Sequence, residues 1–186
     1  MYRSYLLFAL LAGGVLLLDQ LSKTLIFHWL FLGQSVPVLG DFFKITYILN
    51  PGGAFGTKLG GSSFYLFVSI AAIAFTVIFF LKTLPQHFLI RIGLALVLGG
   101  ALGNLTDRFR FGQVIDFLDF DIPDISISTI NLSFIQLNGF TLERWPIFNL
   151  ADSAITIGAV LIVIHILKHK EQKPPRLEPS KTTPQN

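Results

Sequence analysis

Long apolar runs separated by polar connections set the pattern of this chain. Four runs stand out: Tyr5 to Leu18, Phe64 to Leu81, Ile90 to Leu105, and Ile147 to Leu167. At 1.5 Å rise per residue, about 20 helical residues cross a bilayer core. The second and fourth runs reach that length, and the first and third do so with their flanks. Arg3 ahead of the first run gives it the look of a secretory leader, yet no small-x-small cleavage pattern follows. Instead the chain reads Asp19-Gln20-Leu21-Ser22-Lys23 and turns apolar again through Leu32. The pattern predicts an α-helical membrane protein with four transmembrane helices, the first retained and polar towards one end.

Two of the connections read as strands. Residues 42–49 are rich in β-branched and aromatic types and end at the turn signal Asn50-Pro51-Gly52-Gly53. Residues 125–142 alternate apolar and polar over several positions. Asn138-Gly139, between Ile135-Gln136-Leu137 and Phe140-Thr141-Leu142, predicts a tight hairpin turn at that dipeptide. The tail 170–186 is Pro-rich and charged and is expected to be disordered. No fixed-period repeat is visible, so residues 1–169 are expected to form a single four-helix membrane domain.

Composition agrees with this reading. Of 186 residues, 52% are hydrophobic and 13% charged, against about 25% charged in soluble domains. The absence of Cys removes disulfides, thiol nucleophiles and Cys-ligated metals. A formal charge of +3 could point to nucleic acid, but the basic residues form no stripe and no nucleic-acid partner is expected. They mark orientation instead: Arg3, Lys82, Arg91, Lys168, Lys170, Lys173, Arg176 and Lys181 fall in short flanks and the tail, whereas Lys23, Lys44, Lys58, Arg108, Arg110 and Arg144 are spread over longer stretches. Basic density therefore predicts both termini on the cytoplasmic side. Apart from Glu171 and Glu178, the acids then fall outside or at the outer membrane face.

Polar residues at membrane depth are costly and are functional candidates by default. Asp19 and Lys23, four apart on one helix, can form an ion pair, either functional or merely interfacial. Gly99 and Gly103 form a small-xxx-small face. Beside it runs a stripe of Gly100, Asn104, Asp107 and Arg108, which a purely structural pairing would also explain. Asp116, in Gly112-Gln113-Val114-Ile115-Asp116-Phe117, has no sequence-local cation, and Asp152 lies with Asn149 at the start of the fourth helix. If antiparallel packing brings these ends together, the two carboxylates share a proton, one acting as base and the other as acid. Such a pair can activate water against a peptide carbonyl without metal or covalent nucleophile.

Other chemistries fit less well. Ser22 and Lys23 are adjacent and diverge on a helix, which disfavours a Ser-Lys hydrolase. The run Asp116, Asp119, Asp121, Asp124 lacks the Gly and terminal Glu of a calcium loop, and the four His show no ligand spacing near it. No metal or cofactor is expected, and Asp119, Asp121 and Asp124 are expected to form a solvated acidic edge. A non-enzymatic carrier or proton relay is the alternative class. Against it, no charged residue lies midway along the second or fourth run.

Five segments together resemble the lipoprotein signal peptidases (signal peptidase II), membrane aspartic endopeptidases. They are Asp19-Gln20-Leu21-Ser22-Lys23, Asn50-Pro51-Gly52-Gly53-Ala54-Phe55, Gly99 through Arg108, Val114-Ile115-Asp116-Phe117, and Phe148-Asn149-Leu150-Ala151-Asp152-Ser153. The resemblance implies a catalytic dyad of Asp116 and Asp152. It implies supporting roles for Asp19, Lys23, Asn50, Gly100, Asn104, Asp107, Arg108, Gly112, Asn149 and Ala151. By the same resemblance, residues 34–60 form an extracytoplasmic β-cradle on the membrane surface. The implied partners are membrane lipids and prolipoproteins whose lipobox Cys carries a diacylglyceryl group, cut just before that Cys at the outer face of the bacterial inner membrane. A monomer is expected. The connection between the two aspartates is longer than is usual in the family, so the hairpin-like stretch, about 120–145, reads as an inserted lid.

Overall fold

The computed structural model describes residues 2–52, 61–84, 86–122, 125–127, 130–132, 135–137, 140–142 and 144–170. The four apolar runs are helices: α1 (Tyr2–Trp29), α2 (Ser62–Lys82), α3 (Phe88–Phe111) and α4 (Leu150–Lys170). Each contains a stretch long and apolar enough to cross a membrane. Half of the apolar window of α3 is buried, against 11–17% for the other three, which makes α3 the central helix. Its small residues allow this. A Cβ on Gly99 would fall 2.6 Å from the Ala12 carbonyl of α1, and one on Gly100 would strike the Ala151 carbonyl of α4 and Ile155. Backbones packed so closely exclude any side chain at those positions.

At one end of the bundle lies a three-stranded antiparallel sheet in the order β1 (Ser35–Leu39), β2 (Phe43–Asn50), β3 (Val114–Phe120). The strand at 42–49 is present and β1 joins it. β3 is a strand that the sequence pattern does not predict, although Val-Ile-Asp-Phe-Leu-Asp-Phe carries the β-branched and aromatic signal. Tyr47, Ile115 and Phe117 form the buried face of this sheet, packed against Ile26 and Leu30 near the end of α1 and Phe111 of α3. Gly112, at φ +69°, ends α3 in the left-handed conformation that turns the chain straight into β3. Residues 53–60 of the expected cradle, and 171–186 of the expected disordered tail, lie outside the described residues.

The stretch 125–142 does form paired strands, but not with the predicted turn. β4 (Ile125–Ile127) pairs with β7 (Phe140–Leu142), and β5 (Ile130–Leu132) with β6 (Ile135–Leu137). Both ladders keep one register, from Ile125 opposite Leu142 to Leu132 opposite Ile135, so 125–132 and 135–142 pair as the two arms of one long hairpin. Asn138 and Gly139 themselves lie outside the described residues. The expected pairing of 135–137 with 140–142 is overturned: 135–137 pairs with 130–132 and 140–142 with 125–127, so all four segments share one register. Pairing both arms satisfies more backbone N–H and C=O groups than the local turn preference offers.

Candidate active site

Asp116 sits in the middle of β3, opposite Ile48, while Asn50 stands opposite Val114. Positions two apart on antiparallel strands share a face, so Asn50 is the diagonal neighbour of Asp116. Its amide donates to Asp116 Oδ2 at 2.9 Å, while its carbonyl accepts the Gly52 N–H at 2.9 Å. The second oxygen, Oδ1, accepts from Asn149 Nδ2 at 2.6 Å. The chain reaches Asn149 from a backbone bridge in which Phe148 exchanges hydrogen bonds with Leu118 of β3, at 2.7 and 3.1 Å. The register of β3 therefore fixes both Asp116 and the residue that begins α4.

Asn149 and Asp152 form a reciprocal cap on α4. The Asn149 carbonyl oxygen accepts the Asp152 N–H at 3.0 Å, and Asp152 Oδ2 accepts the Asn149 N–H at 3.3 Å. This is the capping-box arrangement with Asn and Asp in the two roles. The other Asp152 oxygen accepts from Asn104 Nδ2 at 2.8 Å. One buried residue, Asn149, thus contacts both carboxylates, Asp116 through its side-chain Nδ2 and Asp152 through its backbone N–H. Asp116 is almost fully enclosed, whereas Asp152 is half-buried and open to one side.

Below the two carboxylates lies a buried ionic cluster. Lys23 Nζ bonds Asp19 and Asp107 at 2.9 Å each and donates to Asn104 Oδ1 at 2.9 Å, so its three protons are all used. Asp19 also accepts the Ala151 N–H in the first turn of α4 at 3.0 Å, and Asp107 accepts the Ile115 N–H of β3 at 3.1 Å. Two carboxylates against one ammonium leave a negative charge, placed where the N-terminus of α4 supplies a positive dipole end. The cluster ties α1, α3, β3 and α4 together directly beneath the pair. Arg108 does not pair with Asp107. It reaches Gly52 O at 3.2 Å and Ser69 Oγ at 3.3 Å, linking the Asn50 turn to α2.

Burial also sets the electrostatics of Asp116. Burial, helped by the neighbouring charge of Asp152, pushes the Asp116 carboxyl up to about 7, against the opposing pull of the Asn50 and Asn149 amides and of Lys23. Beside Asn50 opens a cavity of about 290 Å³ lined by Ile48, Leu49, Asn50, Pro51, Gly52, Pro146 and Ile147. Its lining is mostly apolar, and it reaches the site through Asn50, whose amide holds Asp116.

The structure joins eleven of the twelve sequence-selected positions in one network of contacts: Asp19, Lys23, Asn50, Gly100, Asn104, Asp107, Arg108, Asp116, Asn149, Ala151 and Asp152; Gly112 ends α3 and leads the chain into β3. Gly100 and Gly112 contribute backbone geometry and Ala151 its N–H. Gln20 was missed. It donates to Asp107 at 3.0 Å and to the Gly103 carbonyl at 3.1 Å, and its amide character inside an apolar helix was the available signal. The solvated acidic edge is also corrected. Asp119 is only 5% exposed and is held by Arg144 Nε at 2.5 Å and Thr46 at 2.5 Å, and Asp121 meets Arg144 Nη1 at 3.3 Å. β3 carries Asp119 into the sheet, where burial without Arg144 would be prohibitive. Asp124 lies outside the described residues.

Comparison with known proteins supplies the lineage. Residues 11–168 match the family model described as Signal peptidase (SPase) II. The chain is 40% identical over 173 residues to the lipoprotein signal peptidase of Desulforapulum autotrophicum, covering 90% of this chain and 96% of that one. It is 40% identical over 178 residues to that of Syntrophus aciditrophicus, covering 93% and 99%. A solved structure described as a bacterial membrane enzyme superposes with a TM-score of 0.73 at 31% identity, covering 92% of this chain and 94% of that one. With a family model spanning most of the chain and relatives aligned almost end to end, the chain belongs to the signal peptidase II family.

Proposed function

We propose that Asp116 and Asp152 are the catalytic dyad with which this membrane aspartic endopeptidase removes signal peptides from prolipoproteins. The observation that carries the assignment is the shared contact of both carboxylates with buried Asn149, at the sheet end of the bundle beside an open cavity. Asp116 holds the proton that the pair retains near neutral pH, because burial disfavours its charged form. Asp152, more open and oriented by its cap, is the base. It takes a proton from water as the oxygen attacks the scissile carbonyl carbon, while Asp116 gives its proton to the carbonyl oxygen. The tetrahedral diol then collapses: Asp152 returns its proton to the departing nitrogen, Asp116 recovers one from a hydroxyl, and the C–N bond breaks. Neither carboxylate has changed its net proton count at the end.

The same reading extends to substrate and orientation. The substrate is a prolipoprotein bearing a diacylglyceryl-modified Cys. Its peptide lies in the 290 Å³ cavity and against β2 while its acyl chains stay between lipid-facing helices. The sheet end faces outwards, with both termini cytoplasmic, and the enzyme works as a monomer. Purified protein should cut a diacylglyceryl-modified prolipoprotein before the modified Cys and leave the unmodified precursor largely intact, with or without chelator. Equal cleavage of both precursors would remove the lipid from the proposal, and loss of activity with chelator would remove the metal-free dyad. The carrier reading would instead give ion flux in vesicles without cleavage.

A further inference from the structure

At the end of α3 far from the dyad lies a buried cation that the proposed chemistry does not use. Arg91 is only 4% exposed, and its Nε and Nη2 atoms have no hydrogen-bond partner among the described residues. Its guanidinium lies 4.2 Å from the ring centre of Phe80 and 5.1 Å from that of Tyr5. Aromatic rings stabilise the faces of a guanidinium, but its N–H groups point outward in the plane and still require an acceptor. No salt bridge to Arg91 is found among the described residues.

Three further features indicate what acceptor fits. A cavity of about 10 Å³ adjoins Arg91, lined by Leu7, Phe8, Leu11, Phe88, Ile92 and Ala95, and that volume admits roughly one oxygen-sized atom. Arg91 stands in the first turn of α3, which begins at His87 with no side-chain cap and carries no acidic residue of its own against its positive dipole end. Finally, Leu7 and Phe88 are about half exposed on the lipid-facing surface, and Lys82 ends α2 nearby in sequence. An acceptor oxygen must therefore enter a wholly apolar mouth and bring hydrocarbon with it.

We propose that the groove between α1 and α3 at Arg91 binds an anionic phospholipid, with one phosphate oxygen seated on Nε and Nη2 and an acyl chain along Leu7, Leu11 and Phe88. Arg91 and Asp107 are roughly 24 Å apart along the helix axis, so the lipid sits in the leaflet opposite the dyad. Its phosphate joins α1, α2 and α3 through Arg91, Phe80 and Phe8 and steadies the bundle without touching the reacting atoms.

The test uses the purified full chain in uncharged detergent, with thermal unfolding followed as phosphatidylglycerol, phosphatidylcholine or inorganic phosphate is added. Phosphatidylglycerol should raise the melting temperature by several degrees more than phosphatidylcholine. Arg91→Met, which removes the guanidinium but keeps an apolar side chain of similar reach, should abolish the difference, and Arg91→Lys should retain part of it. In native mass spectrometry of delipidated wild type, phosphatidylglycerol should be retained over phosphatidylcholine by about fivefold. Equal responses of wild type and Arg91→Met would overturn the site. Stabilisation by inorganic phosphate alone would overturn the lipid. Should Arg91→Met not fold, absence of a lipid preference in the wild-type spectra would suffice to reject the proposal.

Discussion

Asp116 is held in a state that ordinary carboxylates leave well below neutral pH. Its carboxyl, pushed up to about 7, binds a proton more tightly in the folded protein than in the unfolded chain. By linkage, its contribution to stability is full below the ordinary value of 3.8, declines as pH rises and is lost above about 7. Activity should share that upper limit under the proposed mechanism: kcat/KM falls on the alkaline side of about pH 7, where Asp116 loses the proton it is to donate. Asn50→Ala removes a hydrogen bond that favours ionised Asp116. A pH profile of the variant should place the alkaline limb higher than in wild type; a limb that moves down would contradict this electrostatic assignment. Lys23→Met is harsher, because it leaves Asp19 and Asp107 buried together without their cation. Chemical unfolding should show a loss of about 3–5 kcal/mol.

At the scale of elements, the site depends on how closely α4 approaches α3 and how its first turn is capped. A methyl group on Gly100 has nowhere to go, since the Ala151 backbone and Ile155 occupy the space. Gly13 on α1 has open surroundings. Gly100→Ala should lower the melting temperature and depress activity together by displacing Ala151 and Asp152, while Gly13→Ala should leave activity intact and gain up to about 1 kcal/mol of helix propensity. Asn149→Ala should cost about 1–2 kcal/mol through the lost cap and reduce turnover well beyond what that loss of stability explains. The helices were legible because their apolar runs are long, and Gly99 through Arg108 displayed both small packing positions and polar site positions. β3 was less legible. Its seven residues follow α3 after a two-residue turn, and Asp116 and Asp119 interrupt its apolar character. The turn at Asn138-Gly139 misled because a dipeptide preference is local, whereas hairpin register is chosen over both arms.

For the whole molecule, charge is arranged by depth. The bundle holds its buried ionic cluster at the sheet end, and the long hairpin springs from the same end between β3 and α4. Arg144 fastens the hairpin's base to the sheet through Asp119, Asp121 and the Asp41 carbonyl. That fastening was invisible in sequence, since it joins positions far apart and needs the sheet to bring Asp119 inward. Removing 125–142 while keeping Arg144 should leave the helices assembled, as judged by unchanged helical circular dichroism, but alter turnover or preference among several prolipoproteins. Identical kinetics would deny the hairpin any role as a lid. The dyad itself is tested most directly by single-turnover cleavage of a diacylglyceryl-modified prolipoprotein with wild type, Asp116→Asn and Asp152→Asn, each checked for a native melting transition. Each folded variant should lose at least about a thousandfold in rate, within the range removed with an essential acid or base. Cleavage at the wild-type rate by either one would contradict the assignment.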